Sequence, residues 1–179
     1  MKLLARLLIA FSILCYSLGI YYTWLQNDPN RLAFSNYHSE QHVSANKKEQ
    51  PVKIEIKSLK INVPLIPARL TGKTWEVTGD GASYLTSSPI PGEKGNSIIY
   101  AHNWASLFGN LVNAKKGDEI VIHFADKSVK KFTVTATTIV SPEDNSILKQ
   151  TNDNRITLYT CTAFLDSKRF VVSAVLNSN

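Results

Sequence analysis

Two cysteines occur in the 179-residue chain, and they differ in what they could do. Cys15 lies inside an uncharged run from Leu7 to Trp24, where a thiol is one more apolar side chain. Cys161 lies far outside that run and cannot reach Cys15, which rules out an internal disulfide. A lone thiol beyond a membrane-type segment either bridges to another chain or is kept for its reactivity. A thiol of ordinary pKa, about 8.5, is only a few per cent thiolate at neutral pH. A nucleophilic cysteine therefore needs a histidine or another cation close by.

Four histidines are available, and position separates them. His38 and His42 fall in a polar stretch with no third ligand nearby, so they read as solvent-exposed linker residues rather than a metal site. His123 alternates with Ile120, Ile122 and Phe124 and reads as an exposed strand residue. His102 ends the apolar run Ser97-Ile98-Ile99-Tyr100-Ala101 and precedes Asn103 and Trp104, where a buried strand opens into a loop. Functional side chains concentrate at such places.

The elements that must position Cys161 are short strands. After Pro51 the pattern changes to eight apolar or alternating runs: 52–57, 61–66, 74–77, 97–101, 119–124, 129–140, 155–160 and 169–176. Such spacing predicts a mostly β barrel or sandwich. Phe132, Val134 and Ala136 alternate with threonines, as in a strand with one face buried. Ala125–Ser128 predicts a hairpin turn, and Ser141-Pro142-Glu143-Asp144 predicts a short helix.

Suppose Thr162–Lys168 is the loop of an antiparallel hairpin centred on Leu165. Residues whose numbers sum to 330 then face each other. Leu158 opposes Val172, Ile156 opposes Ala174 and Thr160 opposes Phe170, a mostly apolar set that belongs on the core. The same register sets Cys161 opposite Arg169, Cβ atoms about 5 Å apart, on the other face with Tyr159, Val171 and Ser173. A guanidinium beside a thiol favours the thiolate.

Thr157-Leu158-Tyr159-Thr160-Cys161 is similar to the Thr-Leu-x-Thr-Cys signature of sortases, enzymes that join secreted proteins or pilins to the cell envelope. Arg169 matches the arginine of the following strand in that family, and His102 in Tyr-Ala-His-Asn matches its histidine. Pro91-Gly92-Glu93-Lys94-Gly95-Asn96 also resembles the family's approach to that histidine, and the resemblance runs from about Val52 to Leu176. Ala101 stands where the family often has glycine. The resemblance implies an eight-stranded sortase-like β-barrel with short helices. It implies a cysteine transpeptidase in which Cys161 attacks a Leu-Pro-x-Thr-Gly type sorting signal, His102 exchanges protons and Arg169 steadies the oxyanion. Asn103, Tyr159 and Thr160 are the expected substrate contacts. The partners implied are secreted proteins bearing the signal and an amine acceptor, a peptidoglycan cross-bridge or a pilin lysine; no metal or cofactor is called for. Two other readings stay open: a catalytically silent β-barrel binding module displayed on the envelope, and a disulfide-linked dimer through Cys161. A monomer is expected otherwise.

The rest of the chain fits an envelope protein. Eighteen residues without charge would make a helix roughly 27 Å long, enough to cross a bilayer. Lys2 and Arg6 precede the run, and Tyr21, Tyr22 and Trp24 close it, which predicts a cytoplasmic N-terminus and an extracellular remainder. No small-x-small cleavage site follows the run, which favours an anchor over a cleaved signal peptide. The expected organisation is residues 1–25 cytoplasmic start and anchor, 26–51 polar stalk, 52–179 catalytic domain. The formal net charge is +6, of which Lys2 and Arg6 supply two; the remaining excess is too diffuse for nucleic acid. Lys115-Lys116 and Lys130-Lys131 read as solvated faces.

Overall fold

The structure, a computed structural model, describes residues 2–26, 29–34, 37, 50–71 and 74–178. Among the described residues one α-helix, α1 (Lys2–Gln26), precedes ten strands. They are β1 (Pro51–Ile56), β2 (Ile61–Ala68), β3 (Leu70–Thr71), β4 (Thr74–Trp75), β5 (Ala82–Leu85), β6 (Gly95–Tyr100), β7 (Glu119–Phe124), β8 (Val129–Val140), β9 (Asn154–Thr162) and β10 (Lys168–Leu176). Within α1, Leu3–Trp24 is long and apolar enough to span a membrane, with a mean hydropathy of 2.1.

Eight of the strands close into a barrel in the order β1-β2-β5-β6-β9-β10-β8-β7, while β3 and β4 pair separately. Closure leaves no edge to aggregate. The eight-stranded barrel expected from the sequence is therefore present, with one strand exchanged. The run at 74–77 gives only β4, outside the barrel, and the eighth barrel strand is Ala82–Leu85. That segment is four residues long and buried on both faces, so it shows no alternation to read.

The barrel interior holds Ile54, Ile56, Ile99, Ile120, Ile122, Phe132, Val134, Ile156, Leu158, Val172 and Ala174. A second cluster lies on the outer face of β6, β9 and β10, where Ile98, Tyr100, Tyr159, Cys161 and Val171 meet Trp75, Leu85 and Leu148. This double burial explains why β6 and β9 are nearly continuous in apolar residues: each face has its own cluster to fill.

Local departures from expectation have local causes. Ala136 is exposed, not buried, because the β8–β10 register shifts between Ser173 and Ala174 and ends the alternation that Phe132 and Val134 begin. The Pro142 segment makes a turn, and the helical residues are a 3-10 turn at Ser146–Leu148. His123 is half-buried, and its Nε2 lies 3.3 Å from Glu55 Oε2 on the neighbouring β1, which shields it from solvent. The hairpin turn at 125–128 joins β7 to β8 as expected, with Lys127 in the left-handed region.

Candidate active site

The antiparallel pairing of β9 and β10 sets Arg169 opposite Cys161, Phe170 opposite Thr160, Val172 opposite Leu158 and Ala174 opposite Ile156. That is the register expected from the hairpin arithmetic. On its other side β9 runs parallel to β6, with Tyr100 level with Tyr159. The pairing continues one residue further, since Ala101 N–H donates to Tyr159 O at 3.4 Å and Thr160 Oγ1 donates to Ala101 O at 2.8 Å. His102 is the next residue along this edge of β9. Neighbouring strands lie about 4.8 Å apart. Cys161 thus has Arg169 opposite it on one flank, and on the other the edge of β6 from which His102 follows.

Each of the three is held. The His102 imidazole stacks on Trp104, ring centroids 4.4 Å apart and 8° from parallel, and its backbone carbonyl accepts from Phe108 N–H. Arg169 is 3% exposed; its Nη1 donates to Asp166 O at 2.8 Å and Lys168 O at 3.1 Å, and its Nη2 donates to Ala33 O at 3.2 Å. Its Nε–H is buried and has no partner among the described residues. Leaving such a donor unpaired costs about 1–3 kcal/mol, so this one is free for a ligand oxygen.

The polar stretch between anchor and barrel contributes what the sequence reading did not foresee. Leu32 and Phe34 are buried in the outer cluster. Phe34 meets Tyr159 edge-on at 5.0 Å, Tyr37 lies 5.4 Å from Trp75, and Trp75 meets Tyr100 edge-on at 5.3 Å. Cys161 Sγ donates to Arg31 O at 3.1 Å, and Tyr159 Oη donates to Leu32 O at 3.0 Å. Arg31 forms an ion pair with Asp166, whose other carboxylate oxygen accepts from Asn103 Nδ2 at 3.0 Å. The segment Arg31–Phe34 therefore covers Cys161. The available signal was the apolar island Leu32-Ala33-Phe34 inside polar sequence. His38 and His42 lie outside the described residues.

Covering the thiol changes its chemistry. Burial pushes the Cys161 thiol up, and the nearby guanidinia of Arg169 and then Arg31 pull it back only partly. Burial pushes His102 down, and Arg31 adds to the effect. The covered site thus holds a neutral thiol and a neutral imidazole, and the thiolate that Arg169 alone would favour is not the resting form.

Of the three expected substrate contacts, Tyr159 lies on the same face as Cys161, fully buried in the outer cluster beneath Phe34, and Asn103 is bonded to Asp166. Thr160 points the other way: it is fully buried on the inner side of β9 and its hydroxyl is committed to Ala101 O, because alternate residues of a strand face opposite sides. Asp166 and Arg31, not picked out from the sequence, are the polar residues that close the rim.

The Sortase domain model matches residues 54–177. Sortase A of Bacillus anthracis is 29% identical over 139 residues, covering 75% of this chain and 63% of the relative; sortase A of Listeria monocytogenes is 35% identical over 95 residues, covering 51% and 42%. The chain thus spans between two fifths and two thirds of the length of these curated relatives. Among solved structures, a lid mutant of sortase A from Corynebacterium diphtheriae superposes with a TM-score of 0.63 at 28% identity, covering 90% of this chain and 81% of that one.

Proposed function

The chain belongs to the sortase family of cysteine transpeptidases, and from that premise we propose that it cleaves a C-terminal sorting signal of the Leu-Pro-x-Thr-Gly type and passes the acyl group to an amine of the envelope or of a pilin. The observation that carries the reading is the β9–β10 register that sets Arg169 opposite Cys161; His102, two residues beyond the end of the neighbouring β6, supports it.

The chemistry follows from those positions. Cys161 Sγ attacks the carbonyl carbon before the scissile bond, and its proton passes to His102. The tetrahedral oxyanion is met by the Arg169 guanidinium, whose Nε–H has no other partner. Collapse breaks the C–N bond as His102 returns the proton to the leaving amine, leaving a thioester on Cys161. An incoming amine attacks that thioester, gives a proton to His102 and restores the thiol. One amide replaces another, so the exchange needs no ATP.

Arg31–Phe34 acts as a lid in this reading. It has to leave before a substrate carbonyl can approach Sγ, and its departure rehydrates the pair. The chain is anchored by α1 with the barrel on the extracellular side, since Lys2 and Arg6 precede the span.

Incubation of the full chain with a fluorescent sorting peptide tests the proposal. Cleavage, with a thioacyl adduct on Cys161 by mass spectrometry and loss of both in Cys161→Ala at a melting temperature within a few degrees, is the expected result. Equal turnover in Cys161→Ala would leave the mechanism without its nucleophile, and absence of any adduct would favour the silent binding module.

A further inference from the structure

The mouth of the barrel carries apolar side chains that its core does not use. Phe164 is 83% exposed, more than any large apolar residue described in α1, and its neighbour Leu165 is 55% exposed. Ile139, 60% exposed, stands at the same end, two strands from Cys161: its β10 partner is Phe170, next to Arg169. These are three of the six large apolar residues described as exposed outside α1. Lys168, also exposed, adds a positive charge beside them.

The loop that presents Phe164 and Leu165 is held in an unfavourable backbone shape. Ala163, Leu165 and Asp166 all have positive φ, at 67°, 50° and 56°. Non-glycine residues adopt that region at a cost. The shape is maintained by Asp166, which is tied to Arg31, Asn103 and Arg169. The loop is thus fastened to the same segment that covers Cys161.

That segment is tethered on a short leash. Arg31 comes five residues after Gln26, the end of α1, and five residues reach at most about 17 Å. The headgroup layer of one leaflet occupies about 5–7 Å of that distance. β8, by contrast, runs twelve residues from Val140 at the mouth to Val129 at the far end, about 36 Å away. With Arg31 seated at the mouth, the mouth is therefore the end of the barrel nearest the bilayer.

Resting on the reading of α1 as an anchor, we propose that in the covered state the barrel docks mouth-down on the membrane, with Phe164 and Leu165 entering the lipid interface and Lys168 facing anionic headgroups. The occupant of the exposed apolar loop is the lipid surface itself. The tether selects lipid over a protein partner, because the leash holds the loop at the bilayer whether or not a partner is present. Docking places the thiol where it meets only chains presented at the membrane surface.

The test uses the full chain in nanodiscs of phosphatidylcholine and phosphatidylglycerol. The photo-crosslinking residue p-benzoylphenylalanine is installed at position 164 in one sample and at 129, also exposed to solvent (51%) but at the far end, in another. Lipid adducts on each peptide are then counted by mass spectrometry. At least five times as many adducts at 164 as at 129 is expected; any smaller ratio, in discs that retain the chain, overturns the docking. A chain that fails to co-elute with the discs overturns the anchor on which the docking rests. No sorting peptide is used, so the outcome is separate from the transpeptidase reading.

Discussion

Cys161 donates its thiol proton to the backbone carbonyl of Arg31, 130 residues earlier in the chain, at 3.1 Å. A carbonyl so placed occupies the approach that a substrate carbonyl needs. The contact is secured by Leu32 and Phe34, whose burial stabilises the covered state by at most roughly 1.5–3 kcal/mol each.

Removing those anchors exposes the thiol. Leu32→Ser with Phe34→Ser is expected to raise the rate of Cys161 alkylation by iodoacetamide at neutral pH by an order of magnitude or more, with little change in the barrel's melt. Mass spectrometry over a time course gives both rates, and equal rates would mean that the segment does not protect the sulfur.

Closure of the segment should depend on pH in a determined sense. Burial raises the thiol of Cys161, so its contribution to closure is complete below the pKa of the uncovered thiol and fades as pH rises through the higher closed value. Burial lowers His102, so its contribution is complete above the open imidazole value, about 6.5, and fades as pH falls. Closure is thus tightest between those limits. The indole N–H resonance of Trp75, which packs against Phe34, reports the two states by NMR; a population of the open form that is flat from pH 5.5 to 9.5 contradicts the assignment.

Arg169 should not be replaceable by lysine. Its two terminal nitrogens are spent on three backbone carbonyls, and its buried Nε has no partner among the described residues. Lysine offers one nitrogen and cannot do both. Arg169→Lys is expected to lower kcat/KM for a sorting peptide by 10²–10³, the usual loss for an oxyanion donor. Activity within threefold of the parent would assign the arginine a purely structural part.

Much of this was legible in the sequence, for reasons specific to each element. In β8 the alternation of Phe132 and Val134 with less buried neighbours was legible, and it ends where Ala136 turns out exposed. The β9–β10 pairing followed from matching apolar residues across one loop, and it brought Cys161 and Arg169 together. β5 escaped because all four of its residues are buried, which erases the period. The covering segment escaped because Leu32 and Phe34 are too few to outweigh the polar residues around them; their partners Trp75, Tyr100 and Tyr159 come from strands distant in sequence. Thr160 was expected to contact substrate, although the β9–β10 register had already put it on the core face with Leu158 and Ile156.

Asn96 offers a test of how the groove wall is built. The residue is 1% exposed. Its Nδ2 donates to Ile147 O at 3.0 Å and Lys149 O at 3.2 Å, its Oδ1 accepts from Thr157 Oγ1 at 2.7 Å, and its backbone N–H donates to Gln150 Oε1 at 2.9 Å. One side chain thus fastens the segment after β8 to β6 and β9, and that segment supplies Leu148 and Ile147 to the outer cluster beside Cys161. Asn96→Ala leaves two buried carbonyls and a hydroxyl short of a partner, a loss of roughly 2–4 kcal/mol, or on the order of 10 °C in melting temperature. Amide exchange at Ile147–Gln150 should accelerate while exchange in β7 and β8 does not. KM for a sorting peptide should rise more than kcat falls, because the wall of the groove loosens while His102, Cys161 and Arg169 keep their strands. A kcat that falls as far as kcat/KM, with KM unchanged, would instead tie Asn96 to the reacting centre.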